Sequence, residues 1–305
     1  MTASALRPSH LPELELCTPT SVEELTRLVA DGFCPMGGGS DVLLAALQRG
    51  EPRHLVSTLR VAELGRLDIG DREITIGGAV TLARLVRHPE LRSGIAAIAE
   101  AAQKVGSVQL RNSATLIGNL CTASPAGDTI AGLFVHNAIV DTVDSSGTRR
   151  AIGVRDFLLG PGQTALVDSE IVTGVRVERL GQGEGSAYRR FTERNAIDLA
   201  FASVAARVML EADGETIRSV DLALGAVGPT VIDASAVADS LLGHAPITDR
   251  VEAVADAASE VCSPISDHRC SADYRRQLIR VLVVEAIDRA SARARGLDSE
   301  LGVGH

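Results

Sequence analysis

The run Pro35-Met36-Gly37-Gly38-Gly39-Ser40-Asp41-Val42-Leu43-Leu44 constrains the fold most. Three consecutive glycines join a strand-like segment, Phe33-Cys34-Pro35-Met36, to a helical pattern. Backbone without Cβ atoms turns tightly, approaches a ligand closely and aims several N–H groups at one anion; the start of the next helix adds its positive dipole end. The run therefore reads as a cradle for a diphosphate, with Met36, Gly37, Gly38, Gly39, Ser40 and Asp41 as candidates. Its spacing is neither G-x-G-x-x-G nor G-x-x-x-x-G-K-[ST], so the two commonest nucleotide fingerprints are absent. Taken by itself, the run also suits a strand-to-helix turn that binds nothing.

The rest of the chain narrows the class. At 305 residues it suggests about two domains with substantial cores. The five cysteines, Cys17, Cys34, Cys121, Cys262 and Cys270, form no C-x-x-C pair and are odd in number, which argues against a disulfide framework and fits a reducing cytoplasm. Cys262 and Cys270 bracket a short polar loop with His268, where a metal site is conceivable but only one histidine and two thiols are in view, so small buried or loop cysteines are expected. The segment Met1-Thr2-Ala3-Ser4-Ala5-Leu6-Arg7-Pro8 has no continuous apolar core, and no later run approaches membrane-spanning length, so a soluble protein is expected. A net charge of -9 and a chain with no tryptophan, two tyrosines and five phenylalanines argue against nucleic acid, which calls for a basic face and stacking rings.

Along the chain, Ser21-Val22-Glu23-Glu24 has the capping-box form, and Gly32 stands where the helix through Leu25, Leu28 and Val29 should stop. Leu67-Asp68-Ile69 and Glu73-Ile74-Thr75-Ile76 read as a hairpin, and Leu82 to Leu91 and Ile95 to Ala102 as helices. Ile139 to Val143, turned by Ser145-Ser146-Gly147, predicts a second hairpin, and Glu170 to Val175 another strand. Gly181-Gln182-Gly183-Glu184-Gly185-Ser186 reads as the boundary between domains. Beyond it, Phe201–Leu210 and Ile217–Val227 form β-rich runs joined at Asp213-Gly214. A long helix with Leu278, Val281, Leu282, Glu285 and Ala286 follows, then a charged tail after Arg293. The pattern is α+β.

A second constellation occupies residues 111 to 128, which read Arg-Asn-Ser-Ala-Thr-Leu-Ile-Gly-Asn-Leu-Cys-Thr-Ala-Ser-Pro-Ala-Gly-Asp. Ser and Thr hydroxyls and Asn amides satisfy ribityl and phosphate oxygens, and a carboxylate accepts hydrogen bonds from paired sugar hydroxyls. The bland alternative is a connection that caps its own backbone.

Together the two segments resemble the flavin signature of the FAD-binding medium subunit of the molybdenum hydroxylases, the xanthine dehydrogenase, carbon monoxide dehydrogenase and aldehyde oxidase group. That signature is a G-G-rich loop followed by R-N-x-A-T-I-G-G-N and A-S-P-A-G-D. The resemblance continues through Asp156-Phe157-Leu158-Leu159-Gly160-Pro161-Gly162-Gln163-Thr164, Glu170-Ile171, and Tyr188-Arg189-Arg190-Phe191 with Arg194 and Asp198. It extends over Leu224-Gly225-Ala226-Val227-Gly228-Pro229-Thr230 and Ser271-Ala272-Asp273-Tyr274-Arg275-Arg276, nearly the whole chain. It implies a two-lobed FAD-binding domain of the PCMH-like type over residues 1–180, a small α+β C-terminal flavoprotein domain with a short antiparallel sheet and helices over 186–293, and a tail over 294–305.

Carried over by position, Gly37 to Asp41 would hold the diphosphate, with Thr115, Gly118 and Asn119 completing the cradle. Arg111 belongs to the same motif, and Ser124 and Asp128 would take cofactor hydroxyls. Ile171 and Val172 would sit near the isoalloxazine, and Arg190 stands where the family usually has a lysine approaching the ring. With so few aromatic residues, aliphatic side chains would sandwich a flavin. The chain departs from the pattern at Gln163, usually lysine, at Arg190, and at Ile117, which occupies the first glycine of T-I-G-G-N. There the pattern leads one to expect close backbone approach and positive φ, and restoring glycine is expected to tighten FAD or leave it unchanged. A cysteine-rich insertion found in one branch is missing, so flavin alone is expected here.

The resemblance implies an FAD-carrying electron-transfer subunit. It would accept electrons from [2Fe–2S] clusters of a small subunit, serve a large molybdopterin subunit, and work in a dimer of heterotrimers. The sequence shows no catalytic triad, metal box or acid/base pair, and His54, His88, His136 and His244 read as surface, capped or core histidines. Two alternatives stand beside this reading: a stand-alone flavoenzyme similar to the UDP-N-acetylenolpyruvoylglucosamine reductases, whose G-G-G-S-N loop the glycine run resembles, and a flavin-free assembly subunit, motivated by Ile117.

Overall fold

The computed structural model describes residues 14–49, 54–194 and 196–297. The segment Met1 to Pro8 and the end of the expected tail, 298–305, lie outside the described residues. Strands β1 (Glu15–Cys17), β2 (Cys34–Met36) and β3 (His54–Ser57) form a parallel sheet in the order β1-β3-β2. Pro35 cannot donate to a ladder, and β2 accordingly lies at the edge. Helix α1 (Val22–Ala30) starts where expected: the Glu24 N–H donates to Ser21 Oγ, while the Glu24 carboxylate reaches back one residue further, to the N–H of Thr20. Gly32 follows at φ +92°, a conformation costly for any side chain. The glycine run leads into α2 (Val42–Arg49), which buries only Ala46.

The second lobe is an antiparallel sheet in the order β4-β5-β10-β6-β7. Its strands are β4 (Leu67–Ile69), β5 (Glu73–Gly77), β6 (Ile139–Val143), β7 (Arg149–Gly153) and β10 (Ile171–Glu178), with a small ribbon of β8 (Leu158–Gly160) and β9 (Gln163–Thr164) beside it. Alternation decides which face is covered: Ile74, Ile76, Val140, Val175 and Val177 are buried against the helices of the lobe. Those helices are α3 (Leu82–Arg87), α4 (Pro89–Gly94), α5 (Ala96–Lys104), α6 (Val108–Ser113), α7 (Leu116–Thr122), α8 (Asp128–Val135) and α9 (Val154–Phe157). The single helix expected from Leu82 to Leu91 is two. Pro89 holds His88 at extended backbone (φ −81°, ψ 116°) and opens α4 from its first turn.

The C-terminal part is an antiparallel sheet of β11 (Glu184–Phe191), β12 (Ala202–Leu210), β13 (Ile217–Gly225) and β14 (Ile232–Asp233) in sequential order. It is accompanied by α10 (Ser235–Ala238), α11 (Thr248–Glu260) and α12 (Ala272–Ala294). Leu278, Leu282 and Ala286 of α12 are buried, whereas Val281 and Glu285 turn outward, so the apolar stripe excludes the latter two.

The expected boundary at 181–186 carries close packing of its own. Gly185 and Ser186 already belong to β11, and a Cβ on Gly185 would stand 2.1 Å from the Ala290 carbonyl oxygen of α12. The Ala97 N–H donates to the buried Ser186 hydroxyl, which pairs with Nε2 of fully buried His136; Nδ1 of that ring meets the Glu178 carbonyl oxygen. Burial pushes the His136 pKa down to about 3, so the ring is neutral and serves the core. Helix α8 is buried on every side and, together with α5, carries the contact between the two parts. Tyr188, Ala205, Ala223 and Val231 of the C-terminal part pack into the core of the second lobe. Among the described residues no helix is long and apolar enough to cross a membrane.

Candidate functional site

The glycine run and the 111–128 segment meet. Gly38 packs on the turn from α6 to α7 so closely that a Cβ would stand 2.0 Å from the Ser113 carbonyl oxygen and 2.6 Å from the Ala114 nitrogen. A Cβ on Gly37 would come 2.8 Å from Thr115 Oγ1, and Gly39 sits at φ +76°. The first two glycines are therefore demanded by the approach of the second segment, the third by backbone conformation.

Between the segments lies a cleft of about 300 Å³ lined by Gly37 to Asp41, Thr115, Gly118 and Asn119. That volume lies at the small end of ligand pockets, about 300–1,000 Å³. Among the described residues, the N–H groups of Gly37, Gly38, Gly39, Ser40, Asp41 and Val42 make no hydrogen bond within the protein. Six adjacent donors at the start of an eight-residue helix suit a multiply charged anion such as a diphosphate. Thr115 caps α7, its hydroxyl accepting the Gly118 N–H at 2.9 Å. Asn119 borders the cleft with its Oδ1 held by the Thr129 hydroxyl.

Seven lining residues were not among the candidates from the sequence: Cys34, Pro35, Val42, Val105, Ala114, Cys121 and Thr122. With Gly118, Cys121 and Thr122 follow i, i+3, i+4 on α7, the helical periodicity that marks one face, and this was the available signal. Burial pushes the Cys121 thiol up to about 12, so it is a small apolar wall and no nucleophile. The lining contains no aromatic ring.

Other expected residues lie outside this lining. Met36 ends β2, its carbonyl oxygen accepting the Thr58 N–H. Arg111 donates to the Val105 carbonyl oxygen and so pins one rim of the cleft; desolvation and the like charge of Arg190 lower its pKa. The Ser124 hydroxyl accepts the Ala126 N–H in a local turn and borders a separate cavity of about 490 Å³ against the C-terminal part. Asp128 and Arg190 have contacts other than those expected. Both are buried, and Asp128 accepts Arg190 Nη1 on one oxygen and the Tyr188 hydroxyl on the other, each at 2.6 Å. They form a charged clasp between α8 and β11 in place of an open hydroxyl site and a free cation. Ile171 is core between the lobes, packed with Val22, Leu25 and Leu64, and Val172 belongs to the core of the second lobe; neither lines the cleft.

Ile117 does not intrude on the ligand surface either. It occupies the second position of α7 with helical backbone, and its side chain is buried in the lobe core. The positive φ expected there is absent because the first turn of a helix takes this residue, with Thr115 as its cap. Among the described residues no group of three or more His, Cys, Asp or Glu could hold a metal, and all five cysteines are free.

Fold and cleft define a class: a two-lobed α+β protein with a cleft of unengaged backbone N–H groups closed by two remote segments and a sheet-and-helix part clasped to it. A family profile described as the FAD binding domain in molybdopterin dehydrogenase matches residues 12–178, and one described as the CO dehydrogenase flavoprotein C-terminal domain matches 186–290. The chain is 30% identical over 286 residues to the carbon monoxide dehydrogenase medium chain of Hydrogenophaga pseudoflava, covering 92% of this chain and 98% of the relative. It is 31% identical over 287 residues to the nicotine 6-hydroxylase medium subunit of Paenarthrobacter nicotinovorans, covering 93% and 99%. A solved carbon monoxide dehydrogenase from Hydrogenophaga pseudoflava, lacking the Mo-pyranopterin moiety, superposes with a TM-score of 0.87 at 29% identity over 93% of this chain and 99% of that one. The chain belongs to the FAD-binding family of the molybdopterin dehydrogenases, a family of oxidoreductases.

Proposed function

We propose that this chain is the FAD-carrying electron-transfer subunit of a heteromeric molybdenum hydroxylase. It would work beside a large molybdopterin subunit and a small subunit with [2Fe–2S] clusters, in a dimer of heterotrimers in the cytoplasm. The observation that carries the reading is the closure of one cleft by the glycine run and α7, with six unengaged N–H groups on its border. FAD, when bound, supplies the electron-transfer chemistry. The chain supplies binding and orientation: Gly37 to Asp41 hold the diphosphate, Asn119 donates to the cofactor, and Val42, Val105 and Cys121 exclude water from it. The expected division into residues 1–180 and 186–293 follows from the same reading, with the clasp Asp128–Arg190–Tyr188 joining the two.

Relatives named as medium chains of carbon monoxide dehydrogenase and nicotine 6-hydroxylase favour this over a stand-alone reductase. The flavin-free alternative loses its motive, because Ile117 is in the core and not in the cleft. Purification of the native assembly followed by a visible spectrum and metal analysis tests the proposal. One FAD per chain, with molybdenum, iron and two further polypeptides, is the expected result; a colourless, FAD-free complex would refute it, and flavin without partners or metals would favour the stand-alone enzyme.

A further inference from the structure

Asn119 is the one lining residue whose side-chain amide offers either a donor or an acceptor, so its orientation decides which ligand group the cleft receives. That orientation is set from behind. The Thr129 hydroxyl of α8, fully buried, donates to Asn119 Oδ1 at 2.6 Å, and among the described residues no other hydrogen bond is made by either side chain. With Oδ1 engaged, Nδ2 is the amide group without a partner among the described residues, so Asn119 can offer the cleft a donor beside the unengaged N–H groups of Gly37 to Val42. These N–H groups all call for an acceptor oxygen, while the Asp41 carboxylate on the same lining accepts from the Ser40 hydroxyl.

We propose that Thr129 is a positioning residue: by holding Asn119 Oδ1 it fixes the carboxamide as a donor toward an acceptor oxygen of a diphosphate-containing cofactor. Thr129 lies ten residues from Asn119 on a different helix, has no access to the cleft itself, and acts only through the amide. Without its hydroxyl the amide is free to turn, and an Oδ1 facing the cleft would repel a phosphate oxygen. The proposal rests on the FAD reading above.

The test is equilibrium binding of FAD to the full-length apoprotein, followed by flavin fluorescence, for wild type, T129V, T129S, N119A and the T129V/N119A double variant. Thermal unfolding of each apoprotein is recorded alongside. T129V keeps shape but loses the hydroxyl; it should weaken FAD about tenfold, the scale of one misdirected hydrogen bond to a charged group. T129S should bind as wild type, and T129V should cost nothing further once Asn119 is alanine. The positioning role is overturned if wild type binds FAD and T129V binds it equally well, if T129S fails to rescue, or if T129V weakens N119A as much as it weakens wild type. A wild-type chain that takes up no FAD under any condition overturns the FAD reading, and the positioning role with it.

Discussion

Adding one methyl group at Gly38 places a carbon where the Ser113 carbonyl oxygen already stands, 2.0 Å from an ideal Cβ, and both neighbours are backbone. Neither can swing aside as a side chain would. Gly38→Ala should therefore separate the two segments and abolish FAD retention, while far-ultraviolet circular dichroism stays near wild type; undiminished flavin content would show that the cradle lies elsewhere. Ile117→Gly reverses the expectation drawn from the family pattern. Its side chain is 6% exposed in the lobe core, so truncation leaves a cavity at about 2–5 kcal/mol and adds about 1 kcal/mol for glycine in a helix. Chemical denaturation should show that loss in place of tighter FAD; an unchanged midpoint would mean the site collapses around the gap. The glycine junction bordering the cleft was legible because three glycines between a strand and a helix act locally. Asp128 and Arg190 were not, since the partners stand 62 residues apart and burial by another element decides whether a carboxylate meets a ligand or an arginine.

Elements inherit their acid sensitivity from such buried contacts. At the start of β10, Glu170 is held by Arg150 through Nε at 2.8 Å and Nη2 at 2.5 Å, by the Thr142 hydroxyl of β6 and by the Val167 N–H at 3.0 Å. The Arg150 hydrogen bonds, foremost, and the other donors hold its carboxyl down to about 2. The folded value lies below the unfolded one, ordinarily about 4.3, so the stabilisation is present above that pH and drains away as pH falls toward about 2. Glu170→Gln should lose about 1.5–3 kcal/mol at neutral pH and flatten the acid limb of the stability profile. Denaturant unfolding from pH 7 to pH 2 checks this, and parallel profiles for wild type and variant would contradict it. At this scale the hairpins, the strands 202–210 and 217–225 and most helices were readable from alternation and 3.6-residue periodicity. The break at His88-Pro89 needed attention to the residue before proline, and the glycine-rich 181–186 segment marked the junction between the two parts, where Gly185 also answers to the approach of α12.

The molecule as a whole is stitched by the chain of hydrogen bonds from Ala97 through Ser186 and His136 to Glu178, by the Asp128–Arg190–Tyr188 clasp, and by Arg207 of β12 on Glu178 and Glu184. Four residues of the C-terminal part share the core of the second lobe. Calorimetry should therefore show one cooperative transition, and Ser186→Ala, which orphans the Ala97 N–H and one His136 nitrogen, should lower it by about 1–3 kcal/mol per orphaned group. Two well-separated transitions would mean that the parts fold independently. The conspicuous chemistry of the chain is a row of unengaged backbone donors bordering a small cleft without aromatic rings, which fits the proposed subunit whose redox work belongs to a bound group. An experimental density map of the native complex tests that claim most directly. The account predicts a diphosphate within hydrogen-bond reach of the Gly37 to Asp41 N–H groups with a flavin attached; an empty cleft in the intact assembly, or FAD seated against other segments, would contradict it.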